Sequence, residues 1–152
     1  MQTALRADFF DEVNIGNRKL RALFDARVKE KGLTLPRVRA LLTLARHSDS
    51  GQMATINQRA LAEEMELETP TVVRLLDGME RQGFIERRTE PNDRRAKQVV
   101  LTDLGHRLAA EIRTLVDDLR FELLSDIDEA DIAVALKVFR TMSVKIQSLS
   151  AR

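Results

Sequence analysis

Between Leu61 and Leu101 the chain sets out, in order, a short apolar-faced segment, a Thr-Pro pair opening a second one, a glycine stop, and two strand-like runs around a basic turn. Few folds accept that order. Ala60, Leu61 and Met65 recur at helical spacing, and Asn57 or Thr55 stands where a cap is needed. After a turn at Glu66 to Glu68, Thr69 is expected to cap, and Pro70 to open, a helix reaching about Gln82, with Val72, Val73, Leu76 and Met79 as its apolar positions. Gly83 is a typical stop. FIERR and KQVVL then read as short strands, and TEPNDRRA between them holds Pro91, Asn92 and Asp93, which supply turn chemistry. Two helices joined by so short a turn form a helix-turn-helix, and the hairpin behind them is a wing.

The flanks are helical. Phe9, Val13, Leu20, Phe24 and Val28 mark a long first helix ending near Lys31-Gly32. Thr34 caps the next, where Pro36 sits in the first turn and Val38, Leu41, Leu42 and Ala45 share a face, before a polar loop HSDSGQ. Residues 53–56 read as a short strand or extended entry. Beyond the hairpin Thr102 caps a helix with Leu104, Leu108, Ile112, Leu115, Leu119 and Leu123 in its stripe, and Asp128 starts a last one through Ile132, Leu136, Phe139 and Ile146. The predicted fold is mainly α with a small β-wing, a single unit over 1–152: a winged helix-turn-helix lobe at 34–101 and terminal helices at 1–31 and 102–152. An isolated helical pair must bury its stripe, so a second copy completing the core in a symmetric dimer is the expected arrangement, with a monomeric bundle as the alternative.

Composition narrows the chemistry. There is no cysteine, and only His47 and His106 among imidazoles, so disulfides, thiolate metal sites and a zinc centre have no material, and neither a metal nor another cofactor is expected. No apolar run approaches the roughly 20 residues that span a bilayer, and Arg6, Asp8, Asp11 and Glu12 interrupt the N-terminal segment, so a cytoplasmic protein with no membrane partner is expected. No nucleophile elbow or glycine-rich phosphate loop is present, which argues against an enzyme. A net charge of +1 conceals a basic stretch from Arg18 to Arg39 and an acidic one from Asp117 to Asp131.

A helix-turn-helix followed by a cationic hairpin points to double-stranded DNA. A helix lying in the major groove presents its first turns to base edges, which makes Thr69, Pro70, Thr71 and Arg74 the candidates. Arg74 could instead contact phosphate, or pair on the surface with Asp77 or Asp11. Asn57 and Gln58 stand where a helix start favours phosphate, and equally where plain caps belong. At the hairpin tip Arg94, Arg95 and Lys97 crowd beside Asp93; cations projecting from a turn gain most in a narrow A·T-rich minor groove, while Arg94 and Lys97, with Arg87 or Arg88 along the strand, would serve the backbone. A solvated charged loop, or a winged protein-interaction module that does not bind DNA, are the alternatives.

LTLPRVRALLTLAR, then ALAEEMELETPTVVRLLDGMERQGFIERR, then DRRAKQVVLTDLG resembles the MarR family of bacterial ligand-responsive regulators, and the Asp-Arg-Arg-Ala-Lys wing with VRLLD is most similar to its SlyA branch. The resemblance spans about residues 15 to 146. It implies a homodimer whose terminal helices pair and whose two winged lobes straddle a palindromic operator, with repression by occupancy. It also implies that Asp93 orients Arg95 into the minor groove, and that a ligand pocket is lined by Arg18, Arg21, Val38, Leu42 and Arg74. Guanidinium groups above an apolar floor suit a small anionic effector: an aromatic or acyl carboxylate, or its coenzyme A thioester.

Overall fold

A computed structural model describes residues 2–49, 55–90 and 92–151, without the side chains of Gln2, Asp93, Arg94 and Arg95. Among the described residues, six helices and three strands follow in the order α1 (Gln2–Lys29), α2 (Leu35–Asp49), β1 (Ile56–Asn57), α3 (Gln58–Glu64), α4 (Thr69–Arg81), β2 (Ile85–Glu90), β3 (Asp93–Leu101), α5 (Asp103–Leu124) and α6 (Glu129–Ser150). This is the mainly helical fold with a small antiparallel sheet that the residue pattern predicts.

Three helices end on one backbone device, a residue with positive φ whose N–H and whose successor's N–H turn back onto the last carbonyls. After α1 it is Gly32, at φ 70°, with Gly32 N–H donating to Lys29 O and Leu33 N–H to Val28 O. After α4 it is Gly83, at φ 74°, with bonds to Glu80 O and, from Phe84, to Met79 O. The turn between α3 and α4 uses the same bonds, from Glu66 to Glu63 O and from Leu67 to Ala62 O, but the residue held at φ 54° is a glutamate. The helix-turn-helix angle is therefore set by a strained residue rather than by glycine.

The chain forms two compact units that part within α5, between Thr114 and Leu115. In the first, Leu41 and Leu44 of α2, Leu61 and Met65 around α3, Val72, Leu76 and Met79 of α4, and Ile85, Val99 and Ile112 make a core. The sheet order is β1-β3-β2, so β3 is the shared middle strand. Ile56 faces Val99 on one side, and on the other the pairing runs from Ile85↔Leu101 to Thr89↔Lys97 before the register shifts between Thr89 and Glu90. Thr102 links the hairpin to α5: its hydroxyl donates to Gly83 O at 2.6 Å and accepts from Gly105 N–H at 3.1 Å, capping the helix.

Some boundaries differ from the sequence expectation. Helix α2 continues to Asp49, so His47 to Asp49 are helical; Ser48 donates back to Leu44 O, and His47 and Arg46 both reach Glu64 of α3, tying the last turn down. The N-cap of α4 is Glu68, with Thr69 already helical. Met53 and Ala54, in the expected extended entry, lie outside the described residues.

In the second unit, Leu115–Arg152, α6 buries none of its residues. Val134 and Val144 are 62% and 68% exposed, and a groove of about 560 Å³ runs along the helix between Val134, Lys137, Val138, Thr141, Met142 and Lys145. Phe121, toward the end of α5, is 79% exposed.

Candidate nucleic-acid interface

Helix α4 divides into two faces at helical period. Val72, Leu76 and Met79 are fully buried and fix it to the core; Val73, expected beside them, is only half-buried. Thr69, Pro70, Thr71 and Arg74 are all exposed at its N-terminal end. Pro70 in the first turn costs no hydrogen bond there and stiffens the entry. Arg74 makes no ion pair among the described residues, nor does Arg81. Of the two surface partners that sequence offers Arg74, Asp77 and Asp11, the first is held by Arg87 instead.

That second pairing engages Arg87, which is expected, as an alternative to Arg88, to serve the DNA backbone. Rather than facing outward along the strand, its side chain is 20% exposed and folded under α4. Nη2 lies 2.6 Å from Asp77 Oδ1 and 2.5 Å from Glu80 Oε2, Nε donates to Glu80 Oε2 at 3.1 Å, and Nη1 donates to Gln58 Oε1 at 3.2 Å. The backbone N–H of Arg87 reaches Glu80 Oε1 at 3.2 Å. These bonds from Arg87 hold the Glu80 carboxyl below the usual glutamate range, and Glu80 in turn raises the hold of Arg87 on its proton.

Asn57 and Gln58 are also engaged internally. Asn57 Oδ1 accepts from Ala60 N–H at 2.8 Å, the bond of a helix cap, and its amide nitrogen reaches Glu90 at 3.5 Å. Gln58 receives Arg87. Of the two readings left open by sequence, the cap is the one the geometry displays for Asn57.

On the wing, Arg88 pairs with Glu86 at 3.0 Å and Lys97 donates to Thr89 Oγ1 at 3.0 Å, both in exposed positions where such contacts are weak and readily exchanged. Strand β3 starts at Asp93, so the backbones of Arg94, Arg95 and Lys97 belong to a strand and not to an open turn. The pairing expected between the side chains of Asp93 and Arg95, and the reach of Arg94, lie outside the described residues.

The five positions expected around a ligand lie on three helices: Arg18 and Arg21 on α1, Val38 and Leu42 on α2, and Arg74 on α4. Arg18, Arg21 and Arg74 are exposed with no hydrogen bond or ion pair among the described residues, Leu42 is half-buried, and Val38 is 6% exposed and packed in the core. Among the described residues no cluster of His, Cys, Asp and Glu is placed to hold a metal, and no helix is long and apolar enough to cross a membrane.

Sequence reasoning missed the acidic half of α4. Asp77 and Glu80 are three apart on one helix face, and Arg87 follows Glu80 by seven residues across a glycine stop, a spacing that lets a returning strand bring the guanidinium back. It also missed Arg37, whose guanidinium lies against the bare backbone of Gly78 in the middle of α4.

A family model described as MarR family matches residues 31–96. The transcriptional regulator PA3341 is 36% identical, with 92% of this chain and 98% of that one covered and a TM-score of 0.73. The fold also matches MepR of S. aureus in a DNA complex, at 21% identity, 91% and 97% coverage and TM-score 0.75. FabT of Streptococcus pneumoniae in complex with DNA matches at 16% identity, 95% and 99% coverage and TM-score 0.79. Full-length alignment at better than one residue in three, joined to the family match across the helix-turn-helix and wing, establishes that this chain belongs to the MarR family.

Proposed function

We propose that this chain is a DNA-binding transcriptional regulator that acts as a homodimer on a palindromic operator, represses by occupancy, and is released by a small anionic effector. One observation carries the DNA reading: the N-terminal end of α4 exposes Thr69, Pro70, Thr71 and an Arg74 that is unpaired among the described residues, while both carboxylates of the same helix are held by Arg87. A helix so arranged offers hydrogen-bonding groups and net positive charge to a major groove. The regulator PA3341 and the DNA-bound MepR and FabT support the reading. The wing sequence DRRAK with VRLLD supports a SlyA-like position in the family.

The homodimer reading rests on apolar surface. Phe121, Val134 and Val144 stand open on helices that need a partner for such faces. The effector reading rests on Arg18, Arg21 and Arg74, cations without acidic partners among the described residues that suit a carboxylate or phosphate.

Titration of a duplex carrying the gene's own upstream region, across salt, tests the first reading. Binding should weaken steeply with salt, and Arg74→Ala should cost about 1–3 kcal/mol. Salt-insensitive binding, or none, refutes it. Sedimentation of the wild type and of Val134→Glu with Val144→Glu tests the dimer, which the pair of charges should dissociate. Calorimetry with an aromatic carboxylate, a long-chain acyl carboxylate and an acyl-coenzyme A tests the effector, and no heat from any of the three refutes it.

A further inference from the structure

A helix that enters a groove lined by phosphates is a poor place for carboxylates, yet α4 carries Asp77 and Glu80 as well as Arg74 and Arg81. Taken alone, its two arginines are matched one for one by its two acids. The structure resolves this with a residue from outside the helix: Arg87 of β2 bonds both carboxylates through Nη2, adds Nε and its own backbone N–H to Glu80, and reaches Gln58 at the start of α3 with Nη1.

One side chain thus ties together the three elements that must meet DNA in a fixed relation. Gln58 belongs to the supporting helix, Asp77 and Glu80 to the recognition helix, and Arg87 to the first wing strand. All three nitrogens of the guanidinium are occupied. For it to swing onto a phosphate, the two carboxylates would have to be left facing the same phosphates without their partner, which removes more favourable charge interaction than one contact returns.

We propose that Arg87 is a positioning residue for DNA recognition: it does not touch DNA, but fixes the wing strand against the recognition helix and cancels that helix's negative charge. The inference rests on the DNA-binding reading above. Arg74 and Arg81 owe their unopposed charge to it. Exposed ion pairs add little to stability, but here the arginine side chain is only 20% exposed and bonded through several atoms, so its loss releases an orientation as well as a charge pair.

The test is a charge exchange read by fluorescence anisotropy on the upstream duplex, with wild type, Arg87→Gln, Arg87→Glu, and Glu80→Arg combined with Arg87→Glu, each checked by thermal melting. Loss of the guanidinium in Arg87→Gln should weaken binding about tenfold or more, and Arg87→Glu further. The exchanged chain has the composition of charge of the wild type and remakes the pair in reverse, so it should recover at least about tenfold over Arg87→Glu. A direct phosphate contact gives the opposite result, because the exchanged chain still places a carboxylate where the phosphate would be and stays as weak as Arg87→Glu. That outcome, or an Arg87→Gln chain with wild-type affinity, overturns the inference alone. If Arg87→Glu does not fold, the exchanged chain is compared with Arg87→Gln, and an exchanged chain no tighter than Arg87→Gln overturns it equally. A wild type that ignores the duplex overturns the functional reading and this one with it.

Discussion

Gly105, in the first turn of α5, sits so close to the carbonyl oxygen of Phe84 that a Cβ at this position would interpenetrate it. The neighbour is backbone, and it follows directly on Gly83, the left-handed stop of α4, so it has little freedom to retreat. Gly105→Ala should therefore destabilise the fold by about 3 kcal/mol, the upper end for overpacking against a rigid neighbour. Thermal unfolding checks it, and a melting temperature equal to the wild type's would show that the α4–α5 junction yields.

Gly78 makes the opposite case. A Cβ there would meet Arg37 Nη2 at 3.0 Å, the far end of a flexible side chain, and nothing rigid within 3.4 Å. Glycine inside a helix costs roughly 0.5–1 kcal/mol relative to alanine, and a guanidinium tip moves aside cheaply. Gly78→Ala should raise stability by about 0.5 kcal/mol in urea titration, and a loss above that size would mean that the Arg37 seat is rigid.

Glu66 occupies a left-handed backbone conformation that costs an L-residue about 1–2 kcal/mol, set against roughly 0.5–1 kcal/mol of chain entropy for glycine. Glu66→Gly should be more stable than wild type by up to about 1 kcal/mol, and Glu66→Val less stable than either, since a β-branched side chain tolerates positive φ worst. Equal midpoints for all three in chemical denaturation would remove strain from the helix-turn-helix turn.

Acid should act on the Arg87 cluster. The folded pKa of Glu80 lies below its unfolded value, so the carboxylate contributes stability above the unfolded pKa of about 4.3 and loses it as pH falls through the folded value. Wild type and Glu80→Gln should therefore differ most in melting temperature near neutrality and converge in acid. A gap that stays constant down to about pH 3 would show that Glu80 ionisation is not coupled to folding.

Helix ends were the most legible part of the chain, because Gly32 and Gly83 mark left-handed stops that few other residues occupy without cost, and the Thr102 hydroxyl caps α5 where its sequence position suggests. A turn at Glu66 to Glu68 is legible as well, but its left-handed residue is not, since a glutamate at residue 66 carries no such mark. Exposure of Thr69, Thr71 and Arg74 follows from helical period alone. Choice of ion-pair partner does not: Asp77 had a cation three residues away on its own helix, yet took one from a strand whose return path only the folded chain specifies. Val38 illustrates a related limit, because helical period gives α2 an apolar face without saying how closely it is covered, and packing buries this residue in the core.

Because β3 runs between the other two strands, the hairpin arm is not a freely hung appendage. Ile56 and Asn57 are stitched to the middle of that strand, opposite Val99 and Gln98, and Asn57 is also the residue that starts α3. A pull on the arm is thus delivered through the peptide ladder to the base of the neighbouring helix, and the two would yield together rather than one after the other.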